Sequence, residues 1–137
     1  MPVNNPSREE IKKILDSAKT IAVVGLSPNP NRTSYMVSEA MQKAGYRIIP
    51  VNPAADEVLG EKSYASLTDI PHSVDIVNVF RRSEFLPELA KEFIQLDCPV
   101  FWTQLNVVDE NVFKDLSDAG YTVIMDRCIK VEHAILK

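Results

Sequence analysis

Thr20-Ile21-Ala22-Val23-Val24-Gly25-Leu26-Ser27-Pro28-Asn29-Pro30-Asn31-Arg32-Thr33-Ser34-Tyr35 is the stretch that decides the fold. A short β-branched run ends at a glycine, crosses a proline-spaced polar loop carrying an arginine and hydroxyls, and enters a segment of helical periodicity. That order opens a phosphate-binding strand–loop–helix unit, in which loop amides and the helix dipole face an anion. The loop departs from the dinucleotide fingerprint G-x-G-x-x-G. With Gly25 as the first glycine, the other two positions hold Ser27 and Pro30. Pro30 has no N–H to offer a pyrophosphate, so a different phosphorylated ligand is expected.

On either side of this stretch the chain alternates. Ser7-x-x-Glu10 ahead of Ile11, Ile14, Leu15 and Ala18 predicts a leading helix over about 7–18. After the strand that ends at Val24, a helix is expected over 34–44, stopped by Gly45, and a second strand over 46–51, stopped by Asn52-Pro53. Residues 54–70 read mostly as loop. A strand over 74–80, a helix over 83–96, a strand over 99–102, a helix over 109–119 and a strand over 121–125 follow. Strands alternating with helices predict one doubly wound α/β domain over 1–137, with a five-stranded parallel sheet and helices on both faces. The expected strand order is 3-2-1-4-5, with ligands outside the carboxyl ends of the strands at the switch point.

Bulk properties narrow the function. The chain has 137 residues, 45% apolar and 25% charged, which suits a single ordinary core. A net charge of −4 gives no general field for nucleic acid or an anionic membrane. Any anion must therefore meet a local cluster, for which Arg32, Arg81, Arg82 and Arg127 are the candidates. Two cysteines, Cys98 and Cys128, lack metal-ligand spacing and are expected as free thiols, and with only two histidines no metal site is expected. The first residues have neither the basic start nor the apolar stretch of a signal peptide, and no apolar run is membrane-spanning in length, so a cytoplasmic location is expected.

Each strand's carboxyl end carries groups suited to a ligand. The first loop offers the amides after Gly25 and Leu26, hydroxyls at Ser27, Thr33 and Ser34, and the Arg32 guanidinium, a combination suited to phosphate; the alternative is a capped helix with a solvated arginine. Asn52, where NAD-binding domains usually present a carboxylate, reads equally as a ribose or base contact and as a turn residue before Pro53. Phe80-Arg81-Arg82 could stack an adenine and pair a phosphate, against the alternative of a core phenylalanine beside surface arginines. Trp102 and Gln104 read as a pocket wall or as core. Asp126 is expected to pair structurally with an arginine, and Arg127 and Cys128 share its rim. Most free cysteines are inert packing residues, so catalysis at Cys128 is not expected. His72 and His133 have no nucleophile in a triad-like context, and no paired carboxylates fall on the rim.

These motifs together resemble the small CoA-binding domain proteins, whose single domain is similar to the CoA-binding domain of the succinyl-CoA synthetase α subunit. The resemblance runs over about 20–132 and rests on Ile21–Ser27 with Arg32, Ser34 and Tyr35, on 45–53, on 74–82, on Trp102-x-Gln104 and on 125–132. It implies a Rossmann-like domain that binds coenzyme A, with Arg32 and the first loop near the phosphates and Asn52, Pro53, Phe80 and Arg81 near the adenosine. One departure stands out: Asn106 occupies the place where the family usually has glycine after the Gln-Leu pair. Asparagine tolerates positive φ, so the turn is expected to survive. The synthetase subunit phosphorylates a histidine on a second domain, and this chain has neither that length nor a matching histidine, so its activity is not implied. The expectation is a non-catalytic or regulatory protein that binds coenzyme A or an acyl-CoA. The alternatives are an acyl-CoA-handling or NAD(P)-linked enzyme and a subunit of a split acyl-CoA ligase, with a homo-oligomer or a ligase-type subunit as possible partner.

Overall fold

A computed structural model describes residues 3–136. Five strands form one parallel sheet: β1 (Thr20–Val24), β2 (Arg47–Val51), β3 (Ile76–Val79), β4 (Val100–Thr103) and β5 (Thr122–Ile124). Alternate residues of each strand point to opposite faces, and both faces are covered, which is why the strands read as mainly apolar runs. On one face Ile21, Val23, Ile48, Ile76, Val100 and Trp102 pack against α1 (Arg8–Ser17), α2 (Thr33–Lys43) and α5 (Ile129–Leu136). On the other, Ala22, Val24, Ile49, Val77, Val79 and Phe101 pack against α3 (Leu86–Phe93) and α4 (Glu110–Asp118). Phe93 sits edge-on to both Phe101 and Tyr121, with ring centroids 5.1 and 4.9 Å away.

The expected fold class is found, but the strand order is 2-1-3-4-5 and not 3-2-1-4-5. Two local features decide this. Pro50 lies within β2 and has no N–H, so an interior strand there would lack a ladder bond. At the edge no such bond is needed: the Pro50 carbonyl accepts the N–H of Tyr64, and Asn52 N–H donates to the Tyr64 carbonyl, so a short stretch of chain covers the edge. The start of β3 is fixed beside β1 instead. Asp75 Oδ2 accepts the N–H groups of Lys19 and Thr20 at 2.8 and 2.9 Å, and Asp75 N–H donates to the Thr20 carbonyl. With this order the switch point lies between β1 and β3, so the loop after Gly25 faces Phe80-Arg81-Arg82 directly.

Smaller differences concern the connections. Residues 54–70, expected as loop, contain a two-residue antiparallel hairpin, Glu57–Val58 with Glu61–Lys62, and a 3-10 turn, Leu67–Asp69. The helix expected over 83–96 divides into a 3-10 turn, Ser83–Phe85, and α3. Helix α5 was not expected at all. Its apolar and polar residues are too interleaved for a clear stripe, and only Ile129 and Glu132 are buried on it. The capping serine of α1 is in place, Ser7 Oγ accepting the N–H of Glu10 at 3.2 Å. Both cysteines are free.

Candidate functional site

Two adjoining crevices open along the carboxyl ends of the strands, sharing Phe80 and Thr33 between them. The first, about 590 Å3, lies over the loop after β1 and is lined by Gly25, Ser27, Asn31, Arg32, Thr33, Ser34 and Phe80. The second, about 570 Å3, is walled by Phe80, Leu105 and Val107, with Arg81, Arg82, Gln104 and Cys128 at its edges. Volumes of this size suit a small-molecule ligand.

The first crevice is built by a loop that bonds to itself. Gly25 N–H donates to the Val51 carbonyl and Phe80 N–H to the Val24 carbonyl, so the loop root is held from both neighbouring strands. Ser34 Oγ accepts Ser27 N–H, Ser27 Oγ accepts Asn29 N–H, and Asn29 Oδ1 accepts Asn31 N–H, at 3.0, 3.1 and 3.0 Å. No side chain caps α2, whose N-cap residue is Arg32, so of the alternative reading the Thr33 or Ser34 cap is absent, while Arg32 is exposed as that reading has it. Thr33 and Ser34 of the first turn of α2 line the crevice, and a helix N-terminus of this kind favours an anion.

Gly25 is required where β1 meets Phe80. Its φ is +82°, and a Cβ there would lie 2.6 Å from the Phe80 carbonyl oxygen and 3.1 Å from Arg81 Cδ. The Arg81 stem therefore lies across the glycine, and its guanidinium stacks over the Phe85 ring at 4.2 Å. Arg82 is exposed and pairs with Glu84 at 3.6 Å. Arg32, Arg81 and Arg82 thus line the two crevices, whereas no carboxylate among the described residues does.

Of the residues proposed from sequence, Gly25, Ser27, Arg32, Thr33, Ser34, Phe80, Arg81, Arg82, Gln104 and Cys128 are brought together on these walls. The others lie elsewhere. Leu26 is 0% exposed and belongs to the core, and Tyr35 packs against that same core from α2. Asn52 is spent on the turn: its Nδ2 donates to the Leu26 carbonyl at 3.0 Å and its Oδ1 accepts Ala54 N–H at 2.9 Å, with Pro53 exposed beyond it. Trp102, read as wall or core, is 0% exposed core, its indole N–H donating to the Arg127 carbonyl at 2.8 Å. Arg127 is exposed and folds back onto the Asp126 carbonyl. Among the described residues Asp126 pairs with no arginine side chain; its Oδ1 accepts the N–H of Asn106 at 2.7 Å. That bond holds Asn106 at φ +68°, so asparagine does make the turn.

Sequence reasoning missed Asn31, Ser83, Leu105, Asn106 and Val107 as lining residues, although Leu105–Val107 directly follow Gln104. It also missed what lies beneath Gln104. Gln104 Nε2 donates to Asn78 Oδ1 at 2.6 Å, and Asn78, 1% exposed, has no partner for its Nδ2 among the described residues. A polar residue in a central strand was the available signal. His72 lies at the opposite ends of the strands, and His133 stands edge-on to Tyr46. Cys98 also lies at the opposite ends, where burial pushes its thiol up to about 12.

An arginine-lined crevice thus lies at the β1/β3 switch point of a parallel sheet, the place where doubly wound α/β domains take their ligands. The chain belongs to the CoA binding domain family, whose model matches residues 19–134. It is 59% identical over 135 residues to YneT of Bacillus subtilis, covering 98% of this chain and 100% of that one. A solved hypothetical protein from Pyrococcus horikoshii superposes with a TM-score of 0.93 at 34% identity, over 99% of this chain and 96% of that one. The acetate–CoA ligase (ADP-forming) II of Archaeoglobus fulgidus is 33% identical over 79 residues, which are 56% of this chain but 12% of the ligase. No described helix is long and apolar enough to cross a membrane.

Proposed function

We propose that this protein binds coenzyme A across the two crevices and acts as a non-catalytic or regulatory CoA-binding module. The phosphates lie over the loop after Gly25, between the first turn of α2, Arg32 and Arg81. The pantetheine arm runs past Phe80 into the chamber of Leu105 and Val107, toward Cys128. The observation that carries this reading is the charge of the walls: three arginines and no carboxylate, in a chain whose net charge is −4. A polyanionic ligand with a long, weakly polar arm matches a cationic crevice joined to an apolar one.

Titration calorimetry with coenzyme A, NAD and NADP tests the reading. Coenzyme A is expected to release heat and to stabilise the fold by about 2.7 kcal/mol at a hundred times its dissociation constant. The absence of both heat and a melting shift at millimolar coenzyme A overturns it. A second reading is favoured by the match to the Archaeoglobus ligase: a CoA-binding part that works with an ATP-handling subunit. Co-purification of such a subunit with the tagged chain from its native host supports that version.

A further inference from the structure

Phe85 is an exposed aromatic side chain without a packing role. It is 38% accessible and belongs to neither buried cluster, yet its backbone is fixed, its N–H donating to the Arg82 carbonyl within the 3-10 turn Ser83–Phe85. That turn is tied across the crevice by Ser83 Oγ, which accepts Val108 N–H at 2.9 Å. The Arg81 guanidinium carbon lies over the Phe85 ring, 4.2 Å from its centroid.

Stacking holds a guanidinium by its face, while all five N–H donors lie in its plane and stay unused. Arg81 fits this description. It is half-buried, its Cδ lies against Gly25, and it forms no ion pair or hydrogen bond among the described residues. Two other arginines of the rim differ: Arg82 is paired with Glu84, and Arg127 donates to the Asp126 carbonyl. Arg81 is thus a cation held in place from two sides with its donors free.

We propose that Phe85 is a positioning residue: its ring holds the Arg81 fork in the crevice for the phosphate of the bound ligand, so the site's preference for phosphorylated ligands depends on a residue that does not line the crevice. This rests on the coenzyme A reading above. An ordered fork loses less conformational freedom on binding than a free one, so removing the ring weakens the phosphate hold without touching a ligand contact.

Calorimetry with coenzyme A on a double-mutant cycle tests it. Phe85→Leu is expected to weaken binding three- to tenfold, and Phe85→Tyr, which keeps the ring, to stay within twofold of the parent. Arg81→Lys keeps a cation but has no plane for a ring to hold; in that background Phe85→Leu is expected to add less than a twofold loss. Melting temperatures of the Phe85 variants should match the parent, as suits an exposed ring. Parent-like binding by Phe85→Leu, or an equal loss in both backgrounds, overturns the proposal while leaving the coenzyme A reading intact. Failure of the parent protein to bind coenzyme A overturns both.

Discussion

Replacing Gly25 by alanine tests the geometry on which the site depends. At φ +82° an L-residue carries a backbone penalty of about 1–2 kcal/mol. The new Cβ would also sit 2.6 Å from the Phe80 carbonyl oxygen and 3.2 Å from its carbon, and backbone cannot swing aside as a side-chain tip can. Forcing β1 and β3 apart adds roughly 1–3 kcal/mol, as overpacking does elsewhere. The total is about 2–5 kcal/mol, at most the lower end of the 5–15 kcal/mol of a typical domain, so the variant should still fold. Gly120→Ala is the matched control: its φ is +97°, but a Cβ there meets nothing within 4 Å, so it carries the backbone penalty alone. Urea unfolding of both variants isolates the close approach as their difference, expected at about 1–3 kcal/mol. Coenzyme A binding should fall at least about tenfold in Gly25→Ala, because Phe80 and Arg81 move with the strand, and stay unchanged in Gly120→Ala. Equal stabilities within about 0.5 kcal/mol, or parent-like coenzyme A binding by Gly25→Ala, would refute the reasoning.

Burial raises Cys98 from 9.0 to about 12, so the folded state keeps the thiol protonated where the unfolded state ionises. Its share of stability is complete below pH 9 and is lost as pH climbs toward 12, at up to about 1.4 kcal/mol per pH unit. Unfolding free energies of the parent and of Cys98→Ala between pH 8 and about 10.5 should therefore converge as pH rises, and parallel profiles would contradict the assignment. Arg8→Ala removes the cation 3.6 Å from Glu132, which is 3% exposed, and should cost about 1–3 kcal/mol. Lys12→Ala, which breaks an exposed pair with Asp16, should cost less than about 0.5 kcal/mol, and chemical denaturation of the two compares them directly.

Much of the fold was legible because parallel strands buried on both faces must be written as short, mainly apolar runs, such as Ile21–Val24. Turn residues between them, Gly45 and Gly120 above all, mark where helices stop. Strand order was less legible, though one residue carried it: Pro50 in β2 is compatible with an edge and not with an interior strand. The lining of the candidate site was legible in its arginines and in the Gly25 loop, which share two stretches of sequence. It was not legible at Asn52, Trp102 and Arg127, whose motif context suggests a ligand while their hydrogen bonds go to the chain itself.

The sequence by itself determined a doubly wound domain with a polar, arginine-bearing loop after its first strand, since both follow from local periodicity and from residue chemistry at fixed spacing. Only the tertiary structure decided that the Gly25 loop faces Phe80 and Arg81, and that Leu105, Val107 and Cys128 close a chamber beside them. These residues come from the ends of four strands, and what brings them together is the placement of β3 beside β1, fixed by hydrogen bonds between segments more than 50 residues apart. No local pattern along the chain encodes such a pairing; it is set by where unpaired backbone groups find partners once the layers pack.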